Sequence, residues 1–288
     1  MHQKKHLWPA PAKLNLMLHI TGRRTNGYHE LQTVFQFLDL CDELQFETTS
    51  NGQIERVEGP SSINAEDDLV VRSARALQQQ SGTTQGVKIQ IKKRIPVGAG
   101  LGGGSSDAAT TLHALNRLWQ LDLDVGQLAD IGLGLGADVP VFVHGFAAFA
   151  EGVGERLQPV SIDESWYLLI TPDVHVSTAE IFSDPDLTRD CPAIKICDLS
   201  TAGWDNACVP VVTRRYPEVD KALKLLGGFA EAKMSGTGAS VFAQFAGKQQ
   251  AEQVLAQLQT TADWGENWRV FICQGRNQSP LFEFMKTI

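Results

Sequence analysis

The sequence contains no apolar run of membrane-spanning length, no tandem repeat and no cysteine pair at CxxC spacing. Its first residues, Met1 to Trp8, carry Lys4 and Lys5 but not the apolar stretch of a signal peptide, so a cytoplasmic protein is expected. Five cysteines, Cys41, Cys191, Cys197, Cys208 and Cys273, leave one over however they pair. That favours free thiols over a disulfide framework or a zinc site. Positive charge is also short: 25 Lys and Arg stand against 33 Asp and Glu, a formal net charge of −8. A general binder of nucleic acid or anionic membrane needs a clustered basic face, and this balance argues against one. A basic pocket for a single small anion is still compatible with it.

What is present suits packed cores. Of 288 residues, 43% are hydrophobic and 20% charged, with 13 Phe and 6 Trp, which sets the chain apart from disordered or low-complexity sequences. The length allows two ordinary domains. Residues 12 to 19 alternate, with Leu14, Leu16 and Leu18 on one face and Lys13, Asn15, Met17 and His19 on the other, the pattern of a half-buried strand. Asn26-Gly27 signals a turn, and Leu31 to Phe46 reads as further extended chain. Asp67 or Asp68 caps a helix with Val70, Ala74 and Leu77 at helical spacing, which Gly82 ends. Residues 86 to 95 alternate Val87, Ile89 and Ile91 against Lys88, Gln90 and Lys92, a strand with one wet face. A helix near Leu128 is expected to end at Gly136-Ala137-Asp138-Val139-Pro140. Gly152, Gly154 and Pro159 suggest a crossing between two domains, placed near residue 157. Beyond it, strands at Trp166 to Thr171, Ser240 to Phe245 and Val270 to Cys273, with helices near Val219 to Leu226 and Gln249 to Leu258, make an α+β half.

The densest chemical signal is Pro96-Val97-Gly98-Ala99-Gly100-Leu101-Gly102-Gly103-Gly104-Ser105-Ser106, followed by a helix opened by Ser105 or Ser106 with inner stripe Ala108, Leu112, Leu115 and Trp119. Five glycines in seven positions let backbone amides approach a polyanion, and the helix behind adds its positive end. The run lacks the lysine of a Walker A loop. Gly98, Gly100 and Gly103 fit GxGxxG, but the half-wet strand before them does not suit a central parallel strand. Taken alone, Lys13 and Asn15 read as a solvated strand face and Asp138 as a turn cap. Tyr28, His29 and Phe182 read as core or core edge.

Three motifs in order nevertheless resemble the GHMP kinases, the galacto-, homoserine, mevalonate and phosphomevalonate kinases. They are Pro11-Ala12-Lys13-Leu14-Asn15-Leu16, the glycine-rich run, and Met234-Ser235-Gly236-Thr237-Gly238-Ala239-Ser240. The resemblance implies a two-domain α+β fold with its active site in the cleft between residues 1–157, binding nucleotide, and 158–288. It implies phosphoryl transfer from ATP to an alcohol, with Asp138 as general base and Lys13 as its charge partner. Asn15 is implied at the substrate, and Leu69 and Val70 beside adenine. Pro96, Gly98, Gly100, Leu101, Gly102, Gly103, Gly104, Ser105 and Ser106 are implied around the phosphates. More narrowly, Gly27-Tyr28-His29-Glu30-Leu31, Gly136 to Phe142 and Asn277-Gln278-Ser279-Pro280-Leu281 look like the branch of that family whose acceptor is a cytidine diphosphate-linked polyol. In that branch Tyr28, His29 and Phe182 hold the cytosine ring, with Thr178 nearby. Mg²⁺ is expected as the ATP complex; no DFG or Walker B motif fixes a protein ligand for it. Asp68 stands where the family commonly has Asn, and Asp107 puts a negative charge near the phosphates. The expected partners are ATP and a small-molecule substrate, not nucleic acid or membrane.

Overall fold

The computed structural model describes residues 6–25, 27–199 and 203–288, so Lys4, Lys5 and Asn26 of the sequence reading lie outside it. Two long strands, β1 (Trp8–Arg23) and β2 (His29–Thr49), form an antiparallel hairpin that runs from Trp8 opposite Leu44 to Arg23 opposite His29. Next come β3 (Ile54–Glu58), α1 (Leu69–Ser81), β4 (Gly86–Lys92), α2 (Gly103–Leu118), α3 (Val125–Leu135), α4 (Val139–His144), β5 (Ala148–Gly152) and β6 (Arg156–Pro159). The second half holds β7 (Trp166–Thr171), α5 (Thr178–Ser183), α6 (Val209–Arg215), α7 (Pro217–Gly227), β8 (Ala232–Met234), β9 (Val241–Phe245), α8 (Lys248–Leu258), β10 (Arg269–Arg276) and α9 (Pro280–Met285).

β2 is the spine. β1 takes one of its edges, and the other is divided among β5 at Leu31 to Phe35, β10 at Phe37 and Leu38, and β4 at Glu43 to Thr49. Through β10 the sheet continues to β7, β9 and β8, so strands from both halves form one hydrogen-bonded path. Helices α1 to α4 pack with β1, β2 and β4 over a first apolar cluster that includes Trp8, Leu77, Leu112 and Phe142. A second cluster, with Ile170, Val212, Val241 and Leu258, underlies α5 to α8. Between them, Leu14, Met17, Leu38, Leu101, Tyr167 and Phe242 join the halves.

The outer edge of β1 is closed by pieces of distant chain. Its Lys13 N–H donates to Leu101 O at 3.0 Å, Asn15 N–H to Ser235 Oγ at 3.1 Å, and Leu18 N–H to Asp205 O at 2.9 Å. Ile20 O accepts from Cys191 N–H at 3.0 Å. For this reason the expected half-buried strand is buried on both faces: Lys13 and Asn15 are 3% and 5% exposed.

Three local expectations change for physical reasons. α2 begins at Gly103, not at Ser105 or Ser106, because Gly102 adopts a left-handed conformation (φ 70°) and turns the chain into the helix two residues early. Pro140 opens α4 instead of ending α3, since a first-turn proline has no amide bond to lose. The expected crossing at 151–161 is the β5–β6 hairpin, in which Gly154 N–H returns to Glu151 O at 3.2 Å, and residue 157 lies inside β6. By contrast, α1 has the expected ends: the Asp68 carboxylate accepts from Val70 N–H, and Gly82 closes the helix at φ 69°. All five cysteines are free thiols, and no helix of the described residues is long and apolar enough to cross a membrane.

Candidate active site

A cavity of about 1010 Å³ runs between the β1–β2 hairpin, the glycine-rich loop, the start of α5 and the 236–238 turn. That is the upper end of the size usual for small-molecule sites, about 300–1,000 Å³. Its floor is the glycine loop. Gly100 (φ 76°) is pressed so closely onto the 235–240 segment that a Cβ would lie 2.2 Å from Ser235 O. Ser235 Oγ donates to Gly100 O at 2.8 Å and Ser240 N–H to Ala99 O at 3.1 Å. With those carbonyls turned away, the first-turn amides of Gly103, Gly104 and Ser105 precede the first helical bond, Ser106 N–H to Gly102 O. They line the cavity as an uncommitted donor set.

Lys13 reaches this loop from β1. Its ammonium donates to Asn15 Oδ1 and to Gly100 O at 3.2 Å, and lies 3.3 Å from Asp138 Oδ2. These contacts use the three donors an ammonium has. Asn15 is itself held by Thr33 Oγ1 at 2.9 Å. Asp138, between α3 and α4, is 37% exposed and faces the cavity, so the carboxylate is far more open to a ligand than its cationic partner, which is 3% exposed.

Lys93 enters from the end of β4. It pairs with Asp42 and, at 2.7 Å, with Asp107 Oδ2; Asp42 also accepts from Arg94 N–H and Ile95 N–H at 2.6 and 2.8 Å. Burial works against the Lys93 charge, but Asp107 and Asp42 outweigh it and hold the ammonium above its usual value. Burial raises the Asp107 carboxyl above its usual value while Lys93 pulls it down, and its Oδ1 has no hydrogen-bond partner. Beside this cluster the cavity becomes apolar, with Leu69, Pro60 and Ile63. Asp68 shapes that end: it pairs with half-buried Arg56, whose guanidinium also donates to Pro60 O at 3.2 Å and Ile63 O at 2.8 Å.

At the opposite end the His29 and Phe182 rings stack, with centroids 5.1 Å apart and planes 28° apart, and Tyr28 projects beside them, 62% exposed. Burial, then the charges of Arg189 and Arg23, hold the His29 imidazole below its ordinary pKa. Thr178 Oγ1 lies 2.9 Å from Thr237 Oγ1, tying α5 to the third motif.

Most of the expected site residues therefore line one cavity: Lys13, Asn15, Tyr28, His29, Leu69, Pro96, Gly98, Gly100, Gly102, Gly103, Gly104, Ser105, Asp138, Thr178 and Phe182. Three side chains do not. Val70 points into the first cluster because Asp68 starts α1 with Leu69, not Val70, toward the cavity. Leu101 packs with the junction cluster, and the early start of α2 turns Ser106 inward, fully buried with Oγ unpartnered. Sequence reasoning missed Lys93, which follows a strand face read as wet, and His175, whose ring would lie 2.6 Å from a Cβ on Gly98. The third motif also brings Gly236, Thr237 and Gly238 to the cavity, which its resemblance alone does not assign. The Ser-Gly-Thr-Gly composition was the signal for them.

A free amide cradle beside a lysine-paired, accessible carboxylate defines a class, the small-molecule kinases. Comparison with known proteins supplies the family. Residues 68–146 match the GHMP kinases N terminal domain and residues 194–263 the GHMP kinases C terminal domain. A protein of Pseudomonas syringae pv. syringae named 4-diphosphocytidyl-2-C-methyl-D-erythritol kinase is 57% identical over 273 residues, 95% of each chain. One of Shewanella loihica with the same name is 54% identical over 275 residues, again 95% of each. A crystal structure of 4-(cytidine 5'-diphospho)-2C-methyl-D-erythritol kinase superposes with a TM-score of 0.79 at 33% identity, covering 94% of this chain and 99% of that one. The chain belongs to the GHMP kinase family and is an ATP-using phosphotransferase of that fold.

Proposed function

We propose that the chain transfers the γ-phosphoryl group of ATP to the 2-hydroxyl of 4-diphosphocytidyl-2-C-methyl-D-erythritol, a step of the non-mevalonate route to isoprenoids. One observation carries this reading: the Lys13–Asp138 pair lies in the same cavity as the His29, Tyr28 and Phe182 rings at one end and the glycine-loop amides at the other. A cavity of about 1010 Å³ has room for ATP and for an acceptor that is itself a nucleotide.

ATP enters with its phosphates on the amides of Gly103, Gly104 and Ser105 and its base toward Leu69. The acceptor hydroxyl oxygen attacks the γ-phosphorus, the bond to the β–γ bridging oxygen breaks, ADP leaves, and the hydroxyl proton passes to Asp138. Lys13 offsets charge on the transferring oxygens. Its Asn15 and Gly100 contacts hold it in place, and the contact to accessible Asp138 is the one a phosphoryl oxygen can share. Mg²⁺ is assigned to the ATP complex. No cluster of three His, Cys, Asp or Glu among the described residues is arranged for a metal, but the unpartnered Oδ1 of Asp107 fits an ion otherwise held by phosphates and water. Residues 1–157 supply the nucleotide site, Lys13 and Asp138; residues 158–288 close the acceptor end through Thr178 and Phe182.

The decisive experiment is a panel of alcohols with ATP, including the cytidylyl and uridylyl forms of the same polyol. A clear preference in kcat/KM for the cytidylyl form is expected, since each mispaired neutral polar group costs about 1–3 kcal/mol. Equal use of both, or phosphorylation of the free polyol, would move the assignment to another activity of the family.

A further inference from the structure

Arg189 lies beyond α5, outside every motif of the sequence reading, yet it connects the parts of the base end. Its Nε–H donates to His29 Nε2 at 3.1 Å. Its Nη1 donates to Leu187 O at 3.1 Å, and its Nη2 to Phe182 O at 3.0 Å and Asp184 O at 2.7 Å. The segment carrying it is fixed in turn, because Asp184 is bound by Arg214 at 2.8 Å and by Arg215 at 2.5 Å. Arg189 forms no ion pair of its own among the described residues; carbonyls and one imidazole nitrogen satisfy it.

A guanidinium has only donors and does not lose its proton in a protein. The nitrogen of His29 that faces it must therefore present a lone pair. We infer that Arg189 is a positioning residue that fixes His29 as the neutral Nδ1–H tautomer, so that the ring offers the bound base a hydrogen-bond donor and no acceptor. Protonating His29 would set one N–H against another across 3.1 Å, beside a second cation, Arg23, which pairs with His29 across the β1–β2 hairpin. Those two arginines are the charged groups that act on the imidazole.

The chemical consequence concerns specificity and rests on the proposed cytidylyl acceptor. A donor at Nδ1 matches N3 or O2 of cytosine, both acceptors. Toward the N3 position it meets an opposing N–H in uracil. The exocyclic amine of cytosine cannot be read by His29, whose lone pair is already used, and must be met by a backbone carbonyl or by solvent.

The tautomer can be read in the ligand-free protein from the imidazole ¹⁵N spectrum, with the His29 signals assigned by their loss in His29→Gln. At neutral pH the wild type should show a protonated Nδ1 and an unprotonated Nε2. Arg189→Met should shift the population toward Nε2–H and raise the His29 pKa. It should also raise KM for the cytidylyl polyol about 3- to 10-fold, the size of one hydrogen bond, with kcat nearly unchanged and the cytidylyl-to-uridylyl ratio narrowed. Unaltered ATP affinity reports that the variant is folded; Arg189→Lys, which keeps a donor, should recover the tautomer. A wild type with protonated Nε2, or an Arg189→Met protein with unchanged tautomer and ratio, overturns the inference. If Arg189→Met does not fold, the wild-type spectrum alone decides. A wild type with the expected tautomer that nevertheless ignores the cytidine sinks the proposed substrate and leaves the hold of Arg189 on His29 standing.

Discussion

At the scale of single residues, the site separates groups that hold from groups that react. Lys13 is 3% exposed and uses every donor, whereas Asp138 is open to ligand through the same ion pair. Asp138→Asn should therefore lower kcat by about 10² to 10⁴, the usual loss for a general base, while ATP affinity stays near that of the wild type. Turnover assays and calorimetry on one preparation check both, and near-normal turnover would remove the proton-acceptor role. Lys13 also shows where residue-level reading of the sequence stops. Its alternation with Leu14 and Leu16 marks a strand, but alternation does not reveal that its ammonium is enclosed by Gly100, 87 residues on, and by Asp138. His29 and Phe182 carried no signal beyond resemblance, because an aromatic ring is as ordinary in a core as against a base. Arg189 was invisible for the same kind of reason: three of its four acceptors are backbone carbonyls.

Among the elements, those whose ends are set by local chemistry were legible, and α1 was read nearly residue by residue from Asp68 and Gly82. The start of α2 was not, because serine is the better cap on average while the conformation of Gly102 decides here. A helix that starts at Gly103 decides which loop glycine can take a side chain. A side chain at Gly103 would collide with Ile95 at 3.0 Å and disturb Lys93, whereas at Gly104 the nearest atom is Leu69 Cδ1 at 3.5 Å. Gly104→Val should therefore fold, shown by unchanged circular dichroism, and weaken ATP more than the acceptor; equal weakening of both would argue against phosphates at this turn. The segment after α5 has its own signature in acid. Although burial opposes ionisation of Asp184, the Asp186 N–H and the Arg214 and Arg215 guanidiniums bring its pKa from 3.8 down to about 2. A carboxyl depressed by folding stabilises the protein above its unfolded value and stops doing so as pH falls through the folded one. The Tm gap between wild type and Asp184→Asn should then be constant above pH 3.8 and close as pH approaches 2. A gap independent of pH over that range would mean the loss is one of shape, not charge.

For the whole molecule, the sequence divides into halves more cleanly than the structure does. The last helix returns to the first cluster: Leu281 is 1% exposed there, with Phe282, Phe284 and Met285 packed around it. Asn277 fastens the return by accepting from Ile162 N–H at 3.0 Å and donating to Ile162 O at 2.7 Å. The Asn277 to Leu281 motif, read only as a mark of resemblance, thus joins the chain's end to its beginning, which local pattern could not disclose. Leu281→Ala should cost about 2–5 kcal/mol in denaturant unfolding followed by the Trp fluorescence of the N-terminal half. A transition confined to the C-terminal half would contradict the shared core. The closed outer edge of β1 has a further consequence, for synthesis. Lys13 and Leu101 can meet early, but the bond from Asn15 to Ser235 waits for 220 more residues. At about 5–20 residues per second that is roughly 10 to 45 s during which the nascent strand keeps part of its edge unpaired. An open edge invites foreign strands. The nascent chain is therefore open to mispairing along the very strand that is buried in the finished site.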